Sequence, residues 1–441
     1  VLVTGKETRE RVDLLCTGTV GFLGSHVLLE WLHSHPDGRV LCLARGAPGA
    51  APRERVLAAL ATAAADCGTV FDVGAFARRV TVLPADLRVL RLRDDPGWQA
   101  WVRATDGFEL LHGAANLSFR EEDRGEVWSS NVDGTRQLLA ELADTSGLHA
   151  VNYISTAYVS GTREGLITEE DTRCPEAFTN VYEESKWYAE GLVREHAASH
   201  AVGVRIFRPS IIIGHSRTLR TSSRTGLYKV VELLWRAAGH IPEGTPSVRL
   251  PAKRQASINL IPVDVVVDEM LAILDQGAAT TGRVYHLTNE RPLSLADLVY
   301  GVPPLIGLAL EAEFSGAPRP RDNLVETVLL RKMRHYLPYL CYERTYDRTN
   351  VRACGADHGH AGDWLDLVRM REFVQAFLDE LEAEARVVSG ARSPDGTRVS
   401  DGTRVSDGTR VSDGTRAATA ALATAPSGAL VGSSTGAESV L

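Results

Sequence analysis

The 441-residue chain is poor in several things, and each shortage excludes something. Cysteine is scarce: Cys16, Cys42, Cys67, Cys174, Cys341 and Cys354 are scattered, with no Cys-x-x-Cys pair. That excludes a disulfide scaffold and a cysteine-based zinc or redox motif, and points to a reducing, cytoplasmic setting. No apolar run approaches the ~18 residues of a membrane span, and no basic-then-apolar leader opens the chain. Positive charge is not in excess. Lys and Arg total 48 against 56 Asp and Glu, a formal charge of −8. This excludes the broad basic surface of a nucleic-acid binder, but not a local basic pocket for a phosphate. With 44% hydrophobic and 24% charged residues, the chain is neither collagen-like nor wholly disordered.

From Asp395 the hexapeptide Asp-Gly-Thr-Arg-Val-Ser runs three times, with a partial copy at 413–416, before an Ala/Thr/Ser/Gly-rich end. One Val per unit offers too little apolar surface to offset chain entropy. Residues 387–441 are therefore expected to be a disordered tail. The acids and arginines of the tail balance, so the whole net charge belongs to residues 1–386.

Ahead of the tail, apolar runs alternate with helical patterns. Strands are expected at Val12–Cys16, Arg39–Ala44, Arg79–Leu83, Phe108–His112, Ala150–Ser155 and Gly203–Phe207. Helices are expected at Phe22–His35, Pro52–Cys67, Val127–Ala143 and Tyr182–His200. Such alternation makes a Rossmann-type, doubly wound parallel sheet. Beyond Pro209 the elements shorten: Ile258–Ile261, Val263–Asp275, Val284–Leu287, Ser294–Tyr300, and a final helix near Asp363–Ala385. The expected organisation is an α/β fold with a dinucleotide-binding domain over 1–208, a smaller C-terminal substrate lobe over 209–386, and the tail. Val1–Gly5 is a rival first strand. Val12–Cys16 is preferred because it runs directly into the glycines, although Asp13 sits awkwardly in it.

Thr17-Gly18-Thr-Val-Gly21-Phe22-Leu23-Gly24 follows that strand and opens a helix. Gly18 permits the tight turn, Gly21 the approach of a pyrophosphate to backbone, and Gly24 close helix–strand packing. An NAD-selective site places an acid at the end of the second strand, about 20 residues on. This chain has Leu43-Ala44-Arg45-Gly46 there. A guanidinium suits the 2′-phosphate of NADP(H), with Arg53 and Arg55 as possible helpers.

Tyr182-Glu-Glu-Ser-Lys186 places a phenol and an ammonium at i and i+4, on one helix face. A nearby cation favours phenolate and brings a Tyr, pKa about 10, toward working range. Ser155-Thr156-Ala-Tyr158 follows the fifth strand, where a hydroxyl faces the cofactor crevice. Thr156 is the first choice to donate to a substrate carbonyl, ahead of Ser155 and Tyr158.

These pieces, with Cys-Leu-Ala-Arg (42–45), Ala-Asp-Leu (85–87), His-Gly-Ala-Ala-Asn (112–116), Asn131-Val-Asp-Gly-Thr135, Phe-Arg-Pro-Ser (207–210), Ile261-Pro-Val-Asp264 and Val284-Tyr-His-Leu-Thr-Asn289, carry a likeness over about 12–386. The chain resembles the extended short-chain dehydrogenase/reductases, and within them the thioester reductase and fatty acyl-CoA reductase branch. His112-Gly113 departs from the apolar residue usual in that branch. The resemblance implies Thr156, Tyr182 and Lys186 as the active site, and Asp86 and Leu87 near the adenine. It also implies Ala114 near the cofactor backbone, Asn131 ordering the site, and Pro209 and Ser210 beside the nicotinamide, with Lys186 also holding its ribose.

The expected activity is NADPH-dependent reduction of an acyl thioester, on coenzyme A or a carrier protein, to aldehyde or alcohol. The alternatives are a nucleotide-sugar epimerase or dehydratase, a ketone or alcohol dehydrogenase, and a cofactor sensor without turnover. Asp357-His-Gly-His360 has two imidazoles without matching ligands, so no metal is expected. The basic residues scattered over 209–260 are a solvated face or a landing site for an acidic carrier.

Overall fold

A computed structural model describes residues 12–238, 252–253, 255–308, 324–357 and 365–390. Seven parallel strands form the central sheet: β1 (Asp13–Thr17), β2 (Val40–Ala44), β3 (Val80–Pro84), β4 (Phe108–His112), β5 (Leu148–Ile154), β6 (Gly203–Pro209) and β7 (Arg283–Leu287). Their order is β7-β6-β5-β4-β1-β2-β3. The near-continuous apolar runs of β1, β2 and β4 are buried along their whole length, as a parallel sheet covered on both faces requires. All seven strands lie where the sequence suggests, within two residues. Asp13 is tolerated inside β1 because Arg39 neutralises it: the backbone N–H of Arg39 donates at 2.9 Å and its guanidinium at 2.7 and 3.1 Å. Val1–Gly5, the rival first strand, lies outside the described residues.

Helix α1 (Phe22–Ser34) is buried on nearly every side. It packs against the sheet, α2 (Pro52–Cys67) and α4 (Val263–Leu274), with α3 (Val181–His200) on the opposite face of the sheet. Strand order reverses at β1, between β4 and β2, and the carboxyl ends there open a crevice. The expected helix Val127–Ala143 is interrupted. Residues Ser129–Asp133 form a π-helical turn between Arg124–Trp128 and Gly134–Leu142. Two short helices, Val73–Arg79 and Pro96–Ala104, escaped the periodicity; each starts at an aspartate, Asp72 or Asp95, whose carboxylate caps two backbone N–H groups.

Residues beyond 209 serve both layers. Strand β7 completes the sheet and α4 covers it. The remainder gathers around Tyr228, Val231, Phe373 and Phe377 into a second core, built on Gly226–Ala238 and on α5 (Leu367–Gly390). Helix α5 runs past the expected boundary at 386. The hexapeptide repeats, in 391–441, lie outside the described residues, as do His358 and His360. Among the described residues no helix is long and apolar enough to cross a membrane, and no cluster of metal-ligating side chains occurs.

Candidate active site

The glycine loop is built by close backbone approaches. Gly18 has φ +78°, and a Cβ there would stand 2.6 Å from Ala114 N. A Cβ on Gly24 would overlap the Gly18 carbonyl. The β1–α1 loop thus sits directly on the loop after β4, and α1 directly on its own loop. Gly21 starts α1 without a side-chain cap, and no acid lies in the first turn. Free N–H groups and the helix dipole suit an anion there.

A cavity of about 1160 Å³ opens over this loop, lined by Gly18, Gly21, Arg45, Asp86, Leu87 and Ala114. Arg55 and Arg88 line it too. Arg55 donates to the Arg45 carbonyl at 2.7 Å. Arg53 does otherwise: its guanidinium lies 4.8 Å from the Phe76 ring centroid. Arg88, which the sequence did not single out, grips Asp86 through Nε at 2.9 Å and Nη2 at 2.5 Å. The Arg88 guanidinium, helped by Arg45, holds the Asp86 carboxyl below the usual range. Leu23 points into the core under α1, so only its backbone is at the loop. A cation-rimmed cavity over an uncapped helix start fits a phosphorylated dinucleotide.

A second cavity, about 700 Å³, adjoins the first. Thr156, Tyr182, Pro209 and Ser210 line it together, with Phe22 beside them. Thr156 opens a 3-10 turn; its hydroxyl accepts from Tyr158 N at 3.3 Å and donates to Pro209 O at 3.4 Å. Lys186 is buried. Its ammonium donates to Ile154 O at 2.6 Å and lies 4.1 Å from the Tyr153 ring centroid. Burial pulls Lys186 down to about 7, with the Glu190 carboxylate acting the other way. Burial, helped by Glu183, pushes the Tyr182 phenol up. Desolvation therefore outweighs the expected pull toward phenolate, and the phenol keeps its proton. Ser210 Oγ is buried and has no hydrogen-bond partner among the described residues, an acceptor and donor left for a bound group.

Most of the rest of this cavity is apolar and aromatic. Phe119 stacks near Tyr182, Tyr336 and Tyr339, at ring-centroid distances of 5.9, 6.0 and 5.7 Å. Tyr339 donates to the buried Glu183 at 2.6 Å, pinning the segment Leu337–Cys341 onto the start of α3. Arg120, Lys229, Lys332 and His335 stand among the lining residues, and no carboxylate does among those described.

A directional hydrogen-bond chain joins the two cavities' walls. Ala114 N donates to Thr17 Oγ1 at 3.1 Å, and Thr17 Oγ1 meets His112 Nδ1 at 2.7 Å. His112 Nε2 meets Thr135 Oγ1 at 2.8 Å, and Thr135 donates its only proton to Asn131 O at 2.6 Å. Thr135 must then accept from Nε2–H, so Nδ1 is bare and takes the Thr17 proton. Asn131, in the π-helical turn, donates at 2.9 Å both to Asn116 O and to Ser185 Oγ. Ser185 donates in turn to Tyr182 O at 2.7 Å. Burial, with Lys186 nearby, pushes His112 down to about 3 and keeps the imidazole neutral. The departure at position 112 is thus a polar link, not an apolar filler.

Comparisons with known proteins fit this geometry. A family profile described as male sterility protein, of the NAD-binding kind, matches residues 16–270. The isonitrile lipopeptide synthase of Streptomyces coeruleorubidus is 32% identical over 232 residues, covering 51% of this chain and 14% of its own. The carboxylic acid reductase of Mycobacterium marinum is 26% identical over 298 residues, covering 63% of this chain and 24% of its own. The chain thus spans about a quarter or less of these relatives' length. The crystal structure of the terminal R domain from the myxalamid biosynthetic pathway superposes with a TM-score of 0.67 at 21% identity, covering 85% of this chain and 92% of that one. That is a likeness of fold. The chain belongs to the NAD-binding family described as male sterility protein.

Proposed function

We propose that the chain is an NADPH-dependent reductase of acyl thioesters, presented on coenzyme A or on a carrier protein. The observation that carries this reading is the largely apolar second cavity, free of described carboxylates, which adjoins the first and has Thr156 and Tyr182 in its lining. A nucleotide sugar would need many polar partners there, and an acyl chain needs none. The carboxylic acid reductase among the relatives supports the same direction.

A dinucleotide held over Gly18, Gly21 and Arg45 would supply the hydride that reduction of a carbonyl needs. Tyr182 donates to the carbonyl oxygen, where negative charge develops, and Thr156 joins it by turning its hydroxyl from the long 3.4 Å bond to Pro209 O. Burial keeps the Tyr182 phenol protonated, the form a proton donor needs. Lys186, fixed by Ile154 O, holds a positive charge beside it. Asn131 orders the helix turn that carries Tyr182, through Ser185. Collapse of the tetrahedral adduct breaks the C–S bond, and thiol leaves with aldehyde as product. A second round would give the alcohol.

Preference for NADP(H) over NAD(H) rests on Arg45, with Arg55 and Arg88, around a cavity whose β2 end carries no acid. Gly18, Gly21 and Gly24, with Phe22 and Leu23 on α1, would cradle the pyrophosphate. Asp86, Leu87 and Ala114 would border the adenosine side, and Pro209 and Ser210 the nicotinamide. A cytoplasmic setting belongs to this reading, supported by Cys16 and Cys42, which face each other in register on β1 and β2 as free thiols. The test is NADPH consumption over acyl-CoAs, acyl carriers, aldehydes, ketones and nucleotide sugars, with products identified. Thioester-dependent aldehyde formation is expected. Turnover of ketones or nucleotide sugars alone would overturn the proposal.

A further inference from the structure

The end of β5 holds more than Thr156. Ile154 O accepts from Lys186, and the next residue, Ser155, donates its hydroxyl to Glu190 Oε1 at 2.6 Å. Lys186 and Glu190 are four residues apart on α3, hence side by side. Ile154, the last residue of β5, and Ser155 just after it therefore grip consecutive turns of the helix, one at its ammonium and one at its carboxylate. Strand β6 closes the grip. Arg208 binds Glu190 with both arms, Nε at 2.9 Å and Nη2 at 2.8 Å, and Phe207 O accepts from Ser155 N at 2.7 Å. Arg194, one turn further along α3, adds a bond at 2.9 Å.

Glu190 is fully buried. A buried ion pair is weak evidence for stability, because packed apolar residues do as well. Its place next to Lys186 gives it another use. The titratable groups around Lys186 are His112 on β4, Tyr153 on β5, and Tyr182 and Glu190 on α3 itself. Behind Glu190 lie Arg208 and Arg194, with Asp171, Glu169 and His286 beyond Arg208. Of the described groups around Lys186, Glu190 is the one that carries negative charge at neutral pH. Resting on the reductase reading above, we propose that Glu190 is a positioning residue for the reaction: clamped by Ser155 and Arg208, its carboxylate holds Lys186 as an ammonium pointed at Ile154 O and beside Tyr182.

The charges support it. Burial pushes the Glu190 carboxyl up, and the Arg208 guanidinium more than reverses this, holding it at about 2. Glu190 is thus an anion throughout the working range. Burial pulls Lys186 down, and Glu190 opposes that pull. Neutralising Glu190 lowers Lys186 further, so the ammonium is lost at lower pH, and the alkaline limb of the rate profile moves toward acid.

The test is the pH dependence of kcat for Glu190→Gln against wild type, on whichever carbonyl substrate wild type reduces. The alkaline limb is expected about one pH unit lower, a roughly tenfold loss of rate above it, with KM for the substrate unchanged. Ser155→Ala keeps the charge but loosens the grip, so kcat falls with the limb in place. If Glu190→Gln does not fold, Glu190→Gln/Arg208→Gln removes the pair together, and the same acid shift is expected. Superimposed profiles for a folded variant and wild type overturn the role of Glu190. Wild type that reduces aldehydes or ketones but no thioester overturns the thioester reading alone, since the limb is still measured on the substrate accepted.

Discussion

The two cavities share walls yet are made in opposite ways. They meet at single peptide steps: Gly21 lines one and Phe22 the other, Asn116 one and Leu117 the other. The first cavity is shaped by backbone at strand ends, with glycines where chains nearly touch and arginines at the rim. The second cavity is shaped by side chains from α3, the 3-10 segment at 337–341 and the C-terminal core. A backbone site tolerates few residues at few positions. A side-chain site tolerates many combinations of similar volume. Substitutions should therefore act sharply and locally on the first cavity, gradually on the second, and most strongly where they meet.

The largest effect is expected at the junction. Tyr182→Phe removes the proton donor and leaves ring and packing in place. Turnover should fall about 10²- to 10⁴-fold while NADPH affinity, by fluorescence titration, stays within about twofold of wild type. An active variant would separate the phenol from the chemistry. Next is Gly18→Ala. A side chain at φ +78° costs about 1–3 kcal/mol by itself, and the new methyl meets Gly113 and Ala114 backbone besides. NADPH binding should weaken at least about tenfold, for each 1.4 kcal/mol is a factor of ten. Acyl preference, measured as relative kcat/KM over chain lengths, should not change. A shift in chain-length preference would erase the distinction between the two cavities.

The same contrast explains what the sequence made legible. Strands β1, β2 and β4 are buried on both faces, so each appears as a near-continuous apolar run, interrupted by Asp13 in β1 and Glu109 in β4, and Gly18 and Gly24 sit where no other residue fits. Thr156 and Tyr182 were expected from their positions after β5, because the ends of parallel strands face one crevice, and the structure brings both to one cavity, with Lys186 buried under Ile154 O. Asn131 was implied only by resemblance: a π-helical turn inside a helical pattern has no local signature, yet it turns Asn131 toward Asn116 and Ser185. Phe119 and Tyr339 lie far apart in sequence and are joined only by tertiary packing. The paired strands Gly165–Ile167 and Arg344–Tyr346 are three residues each, too short for periodicity. Arg88 carried a usable signal: an aspartate capping a turn two residues before an arginine, just after β3.

A smaller effect tests the link between the cavities. His112→Leu takes from Thr17 the acceptor of its proton and from Thr135 the donor it accepts from, though Thr17 keeps Ala114 N and Thr135 keeps Asn131 O. A cost of about 1–3 kcal/mol per unsatisfied group is expected in denaturant unfolding. The pH dependence carries the sign. Buried His112 stays neutral to about 3, whereas an unfolded histidine takes a proton near 6.5. The unfolded state thus binds more protons as pH falls below about 6.5, and wild-type stability declines there by up to about 1.4 kcal/mol per pH unit from this group. The variant should lose that share of the slope. His286, also pushed down to about 3 by burial, should keep its own. An unchanged slope would mean that His112 is accessible to protons in the folded chain.

The smallest effect separates the arginines at the rim. Arg88 is half exposed and already paired with Asp86, so its pull on a 2′-phosphate is screened and shared. Arg88→Ala should weaken NADPH binding by less than about 1 kcal/mol, up to fivefold, and leave NADH binding alone. Freed of Arg88, the Asp86 carboxylate loses its main stabilising partner and stands unneutralised at the rim, which adds repulsion toward the phosphate. Arg45→Ala removes the cation at the end of β2 itself and should cost NADPH more than Arg88→Ala does. Raising salt should shrink the loss from Arg88→Ala, because exposed charges are screened over about 8–10 Å. Equal losses for NADPH and NADH in either variant would move both arginines from cofactor choice to the packing of the loops after β2 and β3.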